Sequence, residues 1–469
     1  MGPANGADWK ITPSVTVEET YTDNLFVNPN TTGTTQSPKE ADFVTTVTPA
    51  VGVRATGGRI RANLDYSPSY VRPYENADRD QVRQNLLGFG TAEIYEDIVF
   101  VDARATMFQA TGDASQPISS SLNNVSSNVG NVQSYSVSPA FRHHFGPYVD
   151  TLSRVSLDTV TVDGVNASDT ASRDLSFTAS SGHYFSVLRW ALLLDEKTTE
   201  RDKGRPDNTQ TRINSDYTYF FDRQWSALWS VGWEKIEDQT LNPQPQGLTW
   251  SVGFGFRPTP RTEIRATYGD RYDRENKNFS LSHQFPGNTN ISINYAETIQ
   301  FQQQLVGQDL SFLGVDSTGT LIDTRTGLPF VFDTNSFGFR DTSFFQRQLS
   351  ALLTANRGRN TFILRLSSEE RENSSSSLDE TVRAITGQWT HRVNQTVDAN
   401  LSLTFRETDF GASGRVDDYI SGTARVNYRL STSTLASISY SHSQRESSGS
   451  TTAADFEENL IALSLRKSF

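Results

Sequence analysis

The chain has no cysteine and only two methionines in 469 residues. That removes disulfide frameworks, thiolate metal sites and cysteine nucleophiles together. It suits a protein that crosses an oxidising compartment, where stray thiols bring nothing. Long apolar runs are missing as well. A membrane-spanning helix needs about 20 consecutive apolar residues. The longest candidate, Trp190–Leu194, is bounded by Arg189 and Asp195. No useful length of sequence carries the helical period of about 3.6. Positive charge is in deficit: 42 Lys and Arg against 54 Asp and Glu give a net charge of -12. The pI is near 5.1. Nucleic acid is therefore set aside as a partner, because its binders usually show a basic face.

What is present argues for an ordered chain. Phe, Trp and Tyr make up 11% of the residues, and such aromatics form cores and interfaces. Length alone would suggest about three domains of about 150 residues each. The patterning runs instead as one unit. Arg59–Tyr66 places Ile60, Ala62, Leu64 and Tyr66 on one face, with Arg59, Arg61, Asn63 and Asp65 on the other. Trp250–Arg257 and Thr396–Arg406 repeat the alternation. A period of two is the strand period. The segments run about 10–15 residues, against about 5–6 for an ordinary strand and about 9–11 for a tilted strand crossing a bilayer.

Connections alternate in length. Tight turns fall at Gly57-Gly58, Glu96-Asp97, Gly146-Pro147, Phe221–Arg223, Pro258–Pro260, Pro286–Asn288, Arg357–Arg359 and Val393-Asn394. Longer polar links separate them, among them Asp23–Ala41, Tyr74–Asp80, Thr111–Gly130, Gln303–Arg340 and Ser447–Ala454. Short turns on one side and long loops on the other describe an outer-membrane barrel. The fold class expected is all-β, an antiparallel transmembrane barrel of about 22 strands with no N-terminal plug. A pair of strands either way is left open, because Leu86–Ile94 and Ser343–Leu353 alternate poorly. Residues 1–8 read as a tail and 9–469 as one barrel. Met1-Gly-Pro-Ala-Asn-Gly-Ala-Asp8 reads as a start residue placed before a mature N-terminus, with the export signal of a Gram-negative outer-membrane protein removed.

Aromatics gather near segment ends, as interface girdles require. Tyr66, Tyr70, Tyr217, Tyr219, Trp225, Trp229 and Phe285 are examples. The chain ends on Phe469 after an amphipathic segment bearing Leu463 and Leu465. This resembles the C-terminal signal read by the bacterial outer-membrane assembly machinery.

One further resemblance rests on the first 70 residues. Trp9-Lys-Ile-Thr-Pro-Ser-Val-Thr-Val-Glu-Glu-Thr-Tyr-Thr-Asp-Asn24 is followed by Asp42-Phe-Val-Thr-Thr-Val-Thr-Pro-Ala-Val-Gly-Val53 and Leu64-Asp-Tyr66. This resembles the outer-membrane barrels associated with exopolysaccharide and exosortase (PEP-CTERM) loci. There a Tyr-Thr-Asp-Asn element precedes a Thr-Pro-containing second strand. The resemblance implies export of a polysaccharide or another surface polymer, and it carries over no functional residues.

No catalytic constellation can be assembled, so an enzyme is not expected, and neither a cofactor nor a metal is called. The histidines, His143, His144, His183, His283, His391 and His442, are scattered, and His143-His144 reads as a turn flank. The alternation points Arg61, Arg104, Arg142, Arg189, Arg257, Arg265, Arg365, Arg406, Arg425, Arg429 and Arg466 inward. Fewer acids are expected there: Asp65, Asp102, Glu234, Glu263 and Asp398. An arginine-lined lumen would favour anions and suit an acidic polysaccharide. Equally, such arginines could pair with acids across strands and fill space. Asp417, Asp418, Asp455, Glu457 and Glu458 read as loop acids, solvated or holding divalent cations beside lipopolysaccharide.

The link Gln303–Arg340 holds Leu310–Leu313 and Leu328–Phe332, too apolar for a free loop. It is expected to narrow the lumen through Phe312, Phe330, Phe332 and Phe337, or to cap the surface. An unplugged barrel of this width would leak, so a periplasmic or lipoprotein partner is expected to occlude it. The leading reading is a polymer-export channel in the outer membrane. A diffusion porin and a barrel sheathing a partner protein, such as a cytochrome or an exported fibre, are the alternatives.

Overall fold

A computed structural model describes residues 6–28, 39–111, 129–164, 168–202, 204, 206–238, 244–301, 313–315, 321–323, 328–329, 343–373, 379–449 and 455–469. Twenty-two antiparallel strands form one closed sheet. Each pairs with its neighbours in sequence, and the first, Asp8–Thr22, also pairs with the last, Phe456–Ser468. Strand lengths run from 9 residues in Thr262–Asp270 to 17 in Val129–Phe145. Among the described residues the only helix is two 3-10 turns, Ala77–Arg79 and Gly411–Ser413. A small separate sheet of three short strands, Leu313–Val315, Leu321–Asp323 and Leu328–Pro329, lies in the longest link.

The two segments that alternate poorly each belong to a single strand, Gln81–Tyr95 and Ser343–Arg357. The reason is apolar residues on the inner face. Leu87 is 3% exposed and lies inward, opposite Thr106. Phe344 is likewise 3% exposed and lies inward beneath the Arg371 guanidinium.

The register assigns every residue to one of two faces. In the first strand Trp9, Ile11, Val15, Val17 and Tyr21 are exposed on the outer face. Ser14, Thr16, Glu18 and Thr20 alternate with them on the inner one. The large exposed hydrophobics elsewhere keep this parity and form an outward apolar band. Aromatics edge the band at both rims. Trp225 stacks on Phe256 at 4.1 Å and Tyr148 meets Tyr184 at 5.1 Å near the short turns. Tyr21 meets Phe43 at 5.2 Å near the long links. Amphipathic rings in these positions match the interfacial girdles of outer-membrane barrels. In outer-membrane barrels of this layout the short turns face the periplasm and the long loops face outward.

At one place in the wall neighbouring backbone leaves no room for a side chain. On the inner face of strands Gln246–Thr259 and Thr262–Asp270, an added Cβ at Gly253 would stand 2.0 Å from the Ala266 carbonyl oxygen. At Gly269 it would stand 1.9 Å from the Trp250 carbonyl oxygen. Glycines at inward positions are how a sheet turns a barrel corner. Gly253→Ala should cost about 1–3 kcal/mol, because backbone must shift to admit the methyl group. The check is the temperature at which the folded, fast-migrating band converts to the unfolded band on a gel. An unchanged conversion temperature would show that this position does not need glycine.

Candidate functional site

All eleven arginines singled out from the sequence fall on the inner face in the observed register. Arg61 pairs with Thr91, Arg104 with Ser136, Arg365 with Thr386, Arg425 with Asn400 and Arg466 with Thr16, all inward positions. Their surroundings differ. Arg142 and Arg189 stack over the inward rings of Phe100 and Phe220, at 4.7 and 5.1 Å. Arg257 and Arg265 share the Glu263 carboxylate at 2.9 and 2.6 Å. Arg429 donates to the Gln395 carbonyl. Arg406 lies over the Tyr419 ring at 4.6 Å.

The inner face is less one-sided in charge than the sequence suggests. The register adds Glu18, Asp158, Asp174, Asp195, Asp216, Asp238, Glu369 and Glu380 to the inward acids. It adds Arg54, Arg83, Arg154, Arg201, Arg212, Arg371, Arg415 and Arg445 to the inward cations. Inward acids are therefore more numerous than the five expected, though still fewer than the inward arginines. Strand parity continues past the apolar band into stretches whose polarity makes them read as loop.

Those stretches build buried charge clusters inside the long-link mouth. In one, Arg415 and Asp417 form a two-bond pair, with Nε to Oδ1 at 2.7 Å. Ser447 donates to Asp417 at 2.7 Å, and Arg445 lies 3.8 Å from it. Tyr419, Phe456 and Val27 pack alongside. In a second, Glu369 accepts from Arg371 and Gln346, both at 2.6 Å. In a third, Asp238 accepts from Arg201 at 3.1 Å, Asn208 at 2.9 Å and Ser343 at 3.0 Å. Asp417, Glu457 and Glu458 are thus strand residues, not loop acids, and Asp417 and Glu458 are buried. Asp418 stands on the outer face of the same strand, and Asp455 accepts from the Ser447 amide.

Two further features face into the mouth. The short hairpin Thr262–Phe285 has its tip at 271–274, where Tyr272 and Asp273 take positive φ of 61° and 57°. Arg271 donates to Glu234 at 2.8 Å and Tyr272 to the same carboxylate at 2.5 Å. Arg274 reaches over to the outer face, where it donates to Glu372 at 2.7 Å and lies over the Phe345 ring. Burial pushes the Tyr272 hydroxyl up, so it stays a donor. On the opposite wall, residues 23–28 turn inward from the first strand. Asp23 accepts from the Asn459 amide and side chain, both at 2.7 Å. Asn24 donates to the carbonyls of Glu457 and Asn28 and accepts from the Asn28 amide. Leu25 packs on Val44 and Val71 to one side, and Val27 on Tyr419 and Phe456 to the other. The Tyr-Thr-Asp-Asn element thus fastens the seam between the first and last strands.

The histidine pair straddles the wall. His143 sits outward beside Phe145, while His144 faces inward, 2.6 Å from Asp150. Phe469 is 74% exposed at the short-turn rim, its amide bonded to the Pro13 carbonyl. Phe312, Phe330, Phe332 and Phe337 lie outside the described residues.

Comparison with known proteins gives a family match over part of the chain and a fold match over all of it. Residues 362–469 match the family described as "Putative beta-barrel porin 2". No curated protein matches the sequence. Among solved structures, the FrpB iron transporter of Neisseria meningitidis aligns over 100% of this chain and 82% of its own. Its TM-score is 0.56 at 9% identity. The ferric-catecholate import receptor Fiu of E. coli aligns over 97% and 81%, with TM-score 0.54 and 8% identity. The siderophore receptor PirA of Acinetobacter baumannii aligns over 97% and 80%, with TM-score 0.51 and 8% identity. At these identities the likeness is one of fold. The chain is a closed barrel of 22 antiparallel strands, and the family model matches its residues 362–469.

Proposed function

We propose that the barrel is an outer-membrane channel that passes a surface polymer, foremost an acidic exopolysaccharide, and performs no chemistry of its own. One observation carries the reading. Between its charges the inner wall is laddered with paired hydroxyls, among them Ser138–Ser156 at 2.8 Å, Ser230–Ser251 at 2.7 Å, Thr423–Ser441 at 3.0 Å and Ser437–Ser464 at 2.6 Å. Hydroxyls both donate and accept, so such a wall offers a sugar chain exchangeable partners without deep binding wells. The resemblance of the first 70 residues to barrels of exopolysaccharide loci supports the same reading. The hypothesis includes a periplasmic or lipoprotein partner that occludes the lumen between transport events.

A diffusion porin is the second reading, and the porin-like match of residues 362–469 favours it. Single-channel conductance of the purified chain in a planar bilayer separates the two. The export reading expects an anion-preferring current that acidic oligosaccharides block and neutral ones do not. A current indifferent to both sugars would install the porin reading. A silent barrel would remove both and leave a protein-sheathing role.

A further inference from the structure

The charge on the inner face is arranged by end. Toward the long-link rim the buried guanidiniums of Arg201, Arg371 and Arg415 each hold a carboxylate. The described links beyond them carry mainly acids, among them Glu40, Glu75, Asp169, Asp202 and Asp455. Toward the short-turn rim the balance reverses. Arg61, Arg142, Arg189, Arg392 and Arg429 all lie inward within the last few strand residues. Two of them rest on aromatic rings instead of acids. A focused field of this shape draws anions toward the short-turn rim and repels them from the long-link mouth.

Within that rim the structure holds a recess of about 680 Å³. This is the size range of small-molecule sites, about 300–1,000 Å³. Arg223, Arg257, Arg261, Glu263, Gln284 and Asn290 contribute to its lining. Three guanidiniums against one carboxylate leave the recess cationic. Glu263 shows what it accepts, because its carboxylate is already held between Arg257 Nη2 and Arg265 Nε at 2.9 and 2.6 Å. Forked guanidinium donors suit a planar carboxylate. The neighbouring amides of Gln284 and Asn290 offer both donors and acceptors for ring hydroxyls.

We propose that this recess is a loading site for carboxylated saccharide units arriving from the short-turn, periplasmic side. Glu263 acts as a resident carboxylate that the incoming one displaces or joins. The inference rests on the channel reading and gives it a direction.

The test uses tetragalacturonate, with maltotetraose as the neutral control. Binding to the purified barrel in detergent is measured by titration calorimetry. Block of current is measured with the sugar added to one side of the bilayer at a time. Tetragalacturonate should bind and maltotetraose should not. Arg257→Gln with Arg261→Gln should weaken binding at least tenfold, whereas Glu263→Gln should strengthen it several-fold. Block should need several-fold less sugar on the short-turn side. The two variants have opposite signs, so a general loss of folding cannot imitate the pattern. Equal binding by the wild type and both variants, or equal block from either side, would overturn the site. Charge-dependent binding without current in any variant would leave the site standing and remove the channel. Current without binding would remove the site and keep the channel.

Discussion

Replacing Asp23 and Asn24 together with alanine will lower the stability of the closed barrel by about 3–6 kcal/mol. Asp23 accepts two bonds from Asn459 on the last strand. A hydrogen bond to a charged group contributes about 1.5–3 kcal/mol and a neutral one about 0.5–1.5. Asn24 is fully buried and holds the Glu457 carbonyl and both backbone groups of Asn28. Without it, Leu25 and Val27 lose the turn that presses them onto the two sides of the seam. This pairing matters more than others because it closes the sheet. It joins residues more than 430 positions apart, so it carries the largest single loop-closure cost in the sheet. Unfolding in urea, followed by loss of the fast-migrating band, measures the effect. Amide exchange at Thr22 and Leu460, which face each other across the seam, should rise first. Asp202→Ala is the control. Asp202 accepts one bond from the Asp169 amide at an exposed link, and its loss should cost under about 1 kcal/mol. If the double variant falls no further than the control, the Tyr-Thr-Asp-Asn element is not a seam lock.

That element shows where the sequence is readable and where it is not. Its position at the end of the first strand makes it conspicuous, yet nothing local says what Asp23 and Asn24 touch. Their partners Asn459 and Glu457 belong to the far end of the chain. The strand pattern is legible because each strand needs only its own parity to be recognised. Ile60, Leu64 and Tyr66 face lipid whatever the neighbouring strands do. The same parity places the eleven arginines inward without any knowledge of register. It does not give their partners. Glu263 between Arg257 and Arg265 can be guessed, since all three flank one tight turn. Asp238 with Ser343 cannot, because four barrel strands lie between theirs and the short hairpin Thr262–Phe285 lets their ends approach. The polar ends of strands are misread for a related reason. Arg415–Asp417 and Glu369–Arg371 lie beyond the apolar band, where outward residues no longer need to be hydrophobic. Alternation fades there although the strand continues.

Asp417→Asn will destabilise the barrel by about 3–5 kcal/mol, the range for removing one partner from a buried ion pair. The side chains of Arg415, Asp417 and Arg445 are 10%, 5% and 5% exposed. Asparagine keeps the shape and still accepts from Ser447, so the loss is chiefly electrostatic. It removes the charge that the Arg415 Nε and Nη2 both point at, in a buried setting where this guanidinium lies over the Phe410 ring. The neighbouring Asp418→Asn changes the same charge on the outer face. There Asp418 stands opposite Glu407, and relieving two facing carboxylates should leave stability unchanged or raise it slightly. The contrast between adjacent residues isolates burial as the cause. Salt gives a second handle, because added ions screen exposed charges far more than buried ones. The Asp417→Asn penalty, read from urea unfolding midpoints, should therefore stay the same from low to high salt. A penalty that shrinks as salt rises, or one no larger than that of Asp418→Asn, would mean that water reaches the cluster. The long-link mouth would then be an open polar vestibule and not a packed rim.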